Sequence, residues 1–142
     1  IQSCIMNNLL FDTYAVIWTA HDEPLSEIAG DAVNTCHQQG QRLYISPFST
    51  WELGILVSKG RLRLSLPPSE LFEHYQMNGH CRLADLNPKI LAKASFLPGK
   101  PSDDPADQIL ISTARAMDLT LITRDRAIKD HGQEDWVRVL AC

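Results

Sequence analysis

Short apolar segments alternate with longer stretches of helical periodicity along this chain, and that alternation limits the fold more than any other feature. The apolar segments are predicted strands at 9–11, 42–45, 81–86, 119–122 and 136–140. Helices are predicted near 14–18, 24–39, 47–59, 69–76, 88–97 and 107–117, with a short one through Lys129. Strands that alternate with helices form a largely parallel α/β sheet. We therefore predict a single α/β domain over residues 1–142, with a central sheet of five strands.

Composition excludes several classes of protein. No apolar run approaches the roughly 20 residues of a membrane span, so we expect a cytoplasmic protein without a membrane partner. The 4 cysteines and 5 histidines are scattered without metal-ligand spacing, which predicts free thiols and no structural zinc. A net charge of −4 offers no broad attraction for nucleic acid. Residues 1–6 precede the first strand and are interpreted as a leader or a cloning remnant outside the fold.

Lone aspartates follow two of the predicted strands. Asp12 interrupts an apolar passage after the first strand, and Asp125 stands in the same place after the fourth. A carboxylate is costly to bury unless it is paired or binds a metal, although Asp is also a good helix N-cap. Ligands collect at the carboxyl ends of parallel strands, so both acids are candidates for a site there.

Acids also fall inside two predicted helices. Glu52 lies in an apolar helix that Ser46 and Pro47 begin, where it either faces solvent or is directed into a site. Asp104 precedes Pro105 as a predicted N-cap, and Asp107 follows in the first turn, where the helix dipole favours negative charge. Met77, near the end of another helix, is predicted to lie in the core.

Carboxylates from four separate segments would repel one another at a common site unless a cation were bound. Carboxylate oxygens suit hard ions, which makes Mg²⁺ or Mn²⁺ the natural occupant. The chain has neither a phosphate-binding Gly-x-x-x-x-Gly-Lys loop nor a Gly-x-Ser-x-Gly elbow. Metal-assisted phosphodiester chemistry is the function that remains.

The chain resembles the PIN-domain ribonucleases, and among them the VapC-type toxins of type II toxin–antitoxin pairs. Four segments carry the resemblance in family order: 9–13, 45–53 with 59–62, 104–111 and 121–125. The resemblance implies a three-layer α/β/α sandwich and an Mg²⁺- or Mn²⁺-dependent endoribonuclease. It also implies a homodimer and an antitoxin partner, with RNA as substrate. Gln108 departs from the pattern, because these toxins often have Arg there.

The resemblance assigns roles residue by residue. The metal-binding and catalytic acids are Asp12, Glu52, Asp107 and Asp125. Thr13, Thr123 and Asp104 would support those acids or orient the attacking water, Asp104 mainly as a cap. Candidates for contact with RNA phosphates are Lys59, Arg61 and Arg124, although the first two equally suit a solvated helix end.

Three alternatives stay open from sequence. A PIN fold can serve as an RNA-processing nuclease rather than a toxin, or as a non-catalytic binding module. A receiver-like phosphoacceptor domain would share the α/β alternation. Such modules carry an acidic pair after the first strand, whereas Asp12 is followed by Thr13 and Tyr14.

Overall fold

The computed structural model describes residues 8–78, 81–99, 101–133 and 136–142. Within them the strands are β1 Leu9–Phe11, β2 Leu43–Ile45, β3 Arg82–Leu83, β4 Thr120–Thr123 and β5 Arg138–Ala141. The α-helices are α1 Thr13–Ala20, α2 Glu27–Gln38, α3 Pro47–Ser58, α4 Pro68–Met77, α5 Pro88–Lys93, α6 Pro105–Met117 and α7 Arg126–Gln133. A 3-10 turn, Ala94–Phe96, extends α5. The predicted alternation of strands and helices is confirmed.

The strands form one parallel sheet in the order β3-β2-β1-β4-β5. Phe11, the last residue of β1, pairs with Ile45 of β2 and with Ile122 of β4. Because the strands are parallel and in register, their carboxyl ends meet at one edge of the sheet. The residues that follow β1 and β4 are therefore neighbours.

Alternating side chains of β1 enter two different cores, as the two-residue period of a strand requires. Leu9 and Phe11 pack in a core with side chains of α1 to α4, whereas Leu10 packs on the other face with side chains of α6 and α7. The sheet is thus covered by helices on both faces. This arrangement confirms the predicted α/β/α sandwich.

Helix caps at the carboxyl edge agree with the sequence. Asp12, Ser46, Asn87 and Asp104 each accept a hydrogen bond from a backbone N–H in the first turn of the helix that follows. Each cap satisfies a donor that the helix itself leaves free. Helix α4 differs, since it begins at Pro68 without a side-chain cap.

Two predictions about the far edge of the sheet and its neighbouring helix were wrong in detail. Strand β3 contains only Arg82 and Leu83, both exposed, because it pairs with β2 on one side and the chain turns into α5 soon after. Such a short strand at the edge of the sheet offers little backbone for unwanted pairing with another chain.

Met77 is 86% exposed at the end of α4 rather than buried in the core.

The cysteines that the structure describes are free thiols, as predicted. Cys36, Cys81 and Cys142 are buried, and burial raises the pKa of Cys81 and of Cys142 to about 11. Cys4 and the proposed leader lie outside the described residues. No helix in the described part of the chain is long and apolar enough to cross a membrane.

Candidate active site

Asp12 is buried directly after β1, with only 3% of its surface exposed, and both of its carboxylate oxygens are used. Oδ1 accepts a hydrogen bond from the backbone N–H of Ala15 at 2.7 Å, which caps α1. Oδ2 accepts one from the hydroxyl of Thr123 at 2.5 Å. Burial raises the pKa of Asp12, and the two hydrogen bonds oppose that rise. Asp12 is therefore both the helix cap and a carboxylate fixed at the sheet edge.

Glu52 is directed toward Thr13 rather than toward open solvent. The Thr13 hydroxyl lies 2.5 Å from Glu52 Oε1, to which it donates, and 3.0 Å from the hydroxyl of Ser49. Burial raises the pKa of Glu52, with further increases from the negative charges of Asp104 and Asp12. Ser49 was not predicted; the signal for it is a small polar residue one helical turn before Glu52 in an apolar helix.

Asp107 is held by a loop residue that the sequence did not suggest. Ser102 donates its hydroxyl to Asp107 Oδ2 at 2.9 Å, and the same hydroxyl accepts a hydrogen bond from the Asp104 backbone N–H. Burial raises the pKa of Asp107 to about 7, aided by the charges of Asp125, Asp104 and Glu52. A carboxyl group with a pKa of about 7 changes its protonation near neutral pH.

Gln108 anchors the loop that carries Ser102. Its side-chain amide donates to the backbone carbonyl of Ser102 at 2.8 Å. This position departs from the family pattern, and here the amide fixes the loop instead of forming an ion pair. Asp107 is thus supported by contacts between the loop residue Ser102 and the first turn of α6.

Asp104 and Asp125 both cap helices at the rim of the site. Asp104 is exposed and accepts from the Ala106 backbone N–H at 3.0 Å. Asp125 Oδ1 accepts from the Ile128 backbone N–H at 3.0 Å. The Asp125 backbone N–H donates in turn to the Thr123 hydroxyl at 3.0 Å, so Thr123 connects Asp12 with Asp125.

The predicted phosphate contacts divide into two groups. The Arg124 guanidinium lies 3.7 Å from the ring centre of Trp18 and donates to the backbone carbonyl of Cys142, and its charge lowers the pKa of Asp12. Lys59 and Arg61 are exposed beyond the end of α3. Lys59 lies seven residues after Glu52, or about 10 Å along a helix. Of the three predicted phosphate contacts, Arg124 is the one whose charge acts on Asp12.

The negative charges of the four predicted metal ligands act on one another, but the side chains do not surround a common point. The charge of Asp125 raises the pKa of both Asp12 and Asp107, and that of Glu52 raises the pKa of Asp107. Among the residues described, no three His, Cys, Asp or Glu side chains stand close enough together to hold a metal ion. The metal-binding set therefore stays a prediction, although its oxygen donors are of the kind that Mg²⁺ and Mn²⁺ prefer.

Comparison with known proteins identifies the family to which this chain belongs. The PIN domain model matches residues 9–133, a range that contains every acid described above. The chain belongs to the PIN domain family. This assignment separates it from the receiver-like modules that share its alternation of strands and helices.

Relatives of this PIN domain cover nearly its whole length. Ribonuclease VapC22 of Mycobacterium tuberculosis is 29% identical over 127 residues, which are 89% of this chain and 93% of that protein. A chain in the crystal structure of VapBC2 from Rickettsia felis bound to a promoter DNA fragment has a TM-score of 0.64 at 15% identity, over 95% of this chain and 98% of that one. A chain in a toxin-antitoxin complex from Klebsiella pneumoniae has a TM-score of 0.58 at 19% identity, over 93% and 95% of the two chains. At these identities the two structures support the fold.

Proposed function

We propose that this PIN domain is a metal-dependent endoribonuclease and the toxin of a toxin–antitoxin pair. Two observations support the proposal: the negative charges of Asp12, Glu52, Asp107 and Asp125 affect one another's pKa, and the chain is related over most of its length to Ribonuclease VapC22. Nuclease chemistry on a phosphodiester requires charge neutralisation more than a covalent nucleophile. A site built from carboxylates suits that requirement when it holds cations.

The donor set fits Mg²⁺ or Mn²⁺. Asp12, Glu52, Asp107 and Asp125 would hold one or two such ions, whose positive charge would offset the repulsion among the carboxylates. When bound, the metal would activate water and offset the charge that develops on phosphate and on the leaving oxygen. Burial, and to a smaller extent the neighbouring negative charges, raise the pKa of Asp12, Glu52 and Asp107, and a bound cation would favour their ionised forms.

The chain's own hydroxyls orient the acids. Thr123 holds Asp12, Thr13 holds Glu52, and Ser102 holds Asp107, each with a single hydrogen bond to one carboxylate oxygen. A carboxylate has about four acceptor sites, so each acid keeps capacity for a ligand. Fixing orientation in advance lowers the cost of assembling the reacting geometry.

The biological role follows from the relatives and belongs to the proposal. Structures similar to this fold are toxin–antitoxin complexes, which supports an antitoxin as protein partner. A homodimeric toxin and action in the cytoplasm are further parts of the proposal. Arg124, beside Asp12, is the candidate for contact with an RNA phosphate. Expression without the antitoxin should arrest growth, and harmless expression of an active nuclease would indicate an RNA-processing role.

Cleavage of RNA by the purified protein tests the enzymatic proposal. We expect cleavage with Mn²⁺ or Mg²⁺, its loss in EDTA, and its return when excess metal is added. Asp107→Asn should abolish cleavage while circular dichroism shows an intact fold. Cleavage that persists in EDTA would contradict metal dependence, and wild-type turnover by Asp107→Asn would contradict the assigned site.

A further inference from the structure

Ser49 is a buried hydroxyl in an apolar helix, and it lies outside the predicted set of site residues. It belongs to the first turn of α3 and is 1% exposed. A hydroxyl inside a helix can donate to a carbonyl of the preceding turn, as Thr113 donates to Ile109. The Ser49 hydroxyl instead has one partner within the described part of the chain, the Thr13 hydroxyl at 3.0 Å. The Ser49 side chain is therefore directed across to α1.

The direction of the hydrogen bond between Ser49 and Thr13 follows from the other partner of Thr13. A hydroxyl has a single proton to donate. Thr13 donates that proton to Glu52 Oε1 at 2.5 Å, because an ionised carboxylate can only accept. Thr13 has no second proton for Ser49, so Ser49 must be the donor in their contact. The hydrogen bonds thus run in one direction, from Ser49 to Thr13 and from Thr13 to Glu52.

Ser49 and Glu52 both reach Thr13 because they are three residues apart on α3. Residues at this spacing lie on the same face of a helix. Thr13 is the first residue of α1 and directly follows Asp12, so the contacts join the helices that follow β1 and β2. Glu52 is thereby fixed to the helix that Asp12 caps.

Donation from Ser49 affects how firmly Thr13 holds Glu52. A hydroxyl that accepts a hydrogen bond is polarised by it and becomes a stronger donor. The hydrogen of a hydroxyl also rotates to suit its surroundings. With Ser49 donating to the Thr13 oxygen, the Thr13 hydrogen is left to point at Glu52. A carboxylate that is oriented in this way loses less side-chain entropy when a metal ion binds.

We propose that Ser49 is a positioning residue that orients the Glu52 carboxylate for a divalent metal ion, and that it acts through Thr13. Ser49 itself contacts neither the metal nor RNA, since it is buried and its hydroxyl donates to Thr13. This inference rests on the proposed metal-dependent ribonuclease function.

Binding of Mn²⁺ to the purified protein without RNA tests this role separately from catalysis. Electron paramagnetic resonance of the free Mn²⁺ gives the dissociation constant. We expect Ser49→Ala to weaken Mn²⁺ binding about tenfold, as the loss of a group that orients a metal ligand does. Ser49→Cys keeps the size of the side chain but has only a weak donor, so it should weaken binding to a similar extent. Wild-type affinity in Ser49→Cys would show that Ser49 only fills space, and would overturn the proposal.

A double-mutant cycle with Thr13→Val tests whether Ser49 acts through Thr13. Thr13→Val removes the hydroxyl at nearly constant volume and should weaken Mn²⁺ binding at least as much as Ser49→Ala does. Adding Ser49→Ala to Thr13→Val should weaken binding no further, because the hydroxyl on which Ser49 acts is already gone. Losses that multiply in the double variant would mean that Ser49 acts independently of Thr13, contrary to the proposal.

Ser112→Ala is the matched control for Ser49→Ala. Ser112 is a buried serine of α6, and its hydroxyl donates to the Ile90 carbonyl at 2.7 Å. Its replacement removes a buried hydrogen bond that involves none of the predicted acids. Ser112→Ala should keep the wild-type affinity for Mn²⁺. Equal losses of affinity in Ser112→Ala and Ser49→Ala would indicate a general effect on the fold and would overturn the positioning role.

Failure of this inference is distinguishable from failure of the proposed function. If wild type binds Mn²⁺ and cleaves RNA while Ser49→Ala keeps the wild-type affinity for Mn²⁺, the positioning role is wrong and the nuclease assignment stands. If wild type neither binds Mn²⁺ nor cleaves RNA in its presence, the nuclease assignment is wrong and this inference is wrong with it.

Discussion

Thr123 donates its hydroxyl to Asp12 across 111 residues of chain, at a distance of 2.5 Å. The same hydroxyl accepts the backbone N–H of Asp125. One side chain thus fixes the acids that follow β1 and β4. The contact exists because these two strands are parallel neighbours in register.

Replacing Thr123 by Val removes this hydroxyl at nearly constant volume. The hydrogen bond lowers the pKa of Asp12, so its loss should raise that pKa further and move the acidic limb of the pH–rate profile upward. We expect activity to fall about 10- to 100-fold, the usual cost of losing a group that orients a metal ligand. The measurement is RNA cleavage as a function of pH.

Thr113→Val is the matched control for Thr123→Val, because Thr113 is fully buried and donates to the Ile109 carbonyl within α6, away from the strand ends. Thr113→Val should retain activity per folded molecule. Thr123→Ser should recover most of the activity that Thr123→Val loses. Equal losses of activity in Thr123→Val and Thr113→Val would mean that the Thr123 hydroxyl affects only the stability of the fold.

Asp107→Asn should stabilise the fold at alkaline pH, although we expect it to abolish activity. The folded-state pKa of about 7 exceeds the ordinary 3.8, so the folded state binds the proton more tightly than the unfolded state between those values. Stability of the wild type therefore falls as pH rises from about 4 to about 7 and is then level. The Asn side chain does not ionise, so the variant does not lose stability in this way. Its Tm should exceed that of wild type at pH 8 and match it near pH 4.

Metal provides the complementary check on Asp107. Excess Mn²⁺ should raise the wild-type Tm at pH 8 and should raise that of Asp107→Asn much less, because ligand binding stabilises only the form that binds. A Tm for Asp107→Asn below that of wild type at pH 8, without metal, would contradict the raised pKa.

Asp104→Asn should be mild by comparison with Asp107→Asn. Asn caps a helix about as well as Asp, and the Ala106 N–H keeps its acceptor. The lost charge raises the pKa of Asp107 and Glu52 in the wild type, so the variant should move the acidic limb of the pH–rate profile downward. Inactivation as complete as that of Asp107→Asn would show that Asp104 binds the metal.

Two glycines on helices should respond oppositely to Ala. A Cβ at Gly132 of α7 would meet Val139 Cγ2 at 2.8 Å and the Val137 carbonyl at 3.2 Å. Crowding of this kind costs about 1–3 kcal/mol. Gly30 of α2 has no such neighbour within 4 Å, so Gly30→Ala should stabilise by about 0.5–1 kcal/mol. Urea unfolding of both variants measures the change in the free energy of unfolding. A change of the same sign in both would contradict this prediction.

Much of the fold was available from sequence because local signals agreed with one another. Short apolar segments indicated the strands, and residues such as Ser46 and Asp104 indicated where helices begin. The weakest local signals produced the errors. An exposed edge strand such as β3 has little apolar pattern to define its length. The residue type of Met77 likewise does not show which face of α4 its side chain occupies.

The sequence by itself determined which acids follow strands and begin helices, because those properties depend on neighbours along the chain. Only the tertiary structure decided that Ser102 holds Asp107, that Thr13 joins Glu52 to Ser49, and that burial with neighbouring charges moves the pKa of Asp107 to about 7. These contacts and charges depend on strand order, register and depth within the fold. They are set by packing between segments distant in sequence, which no local pattern records.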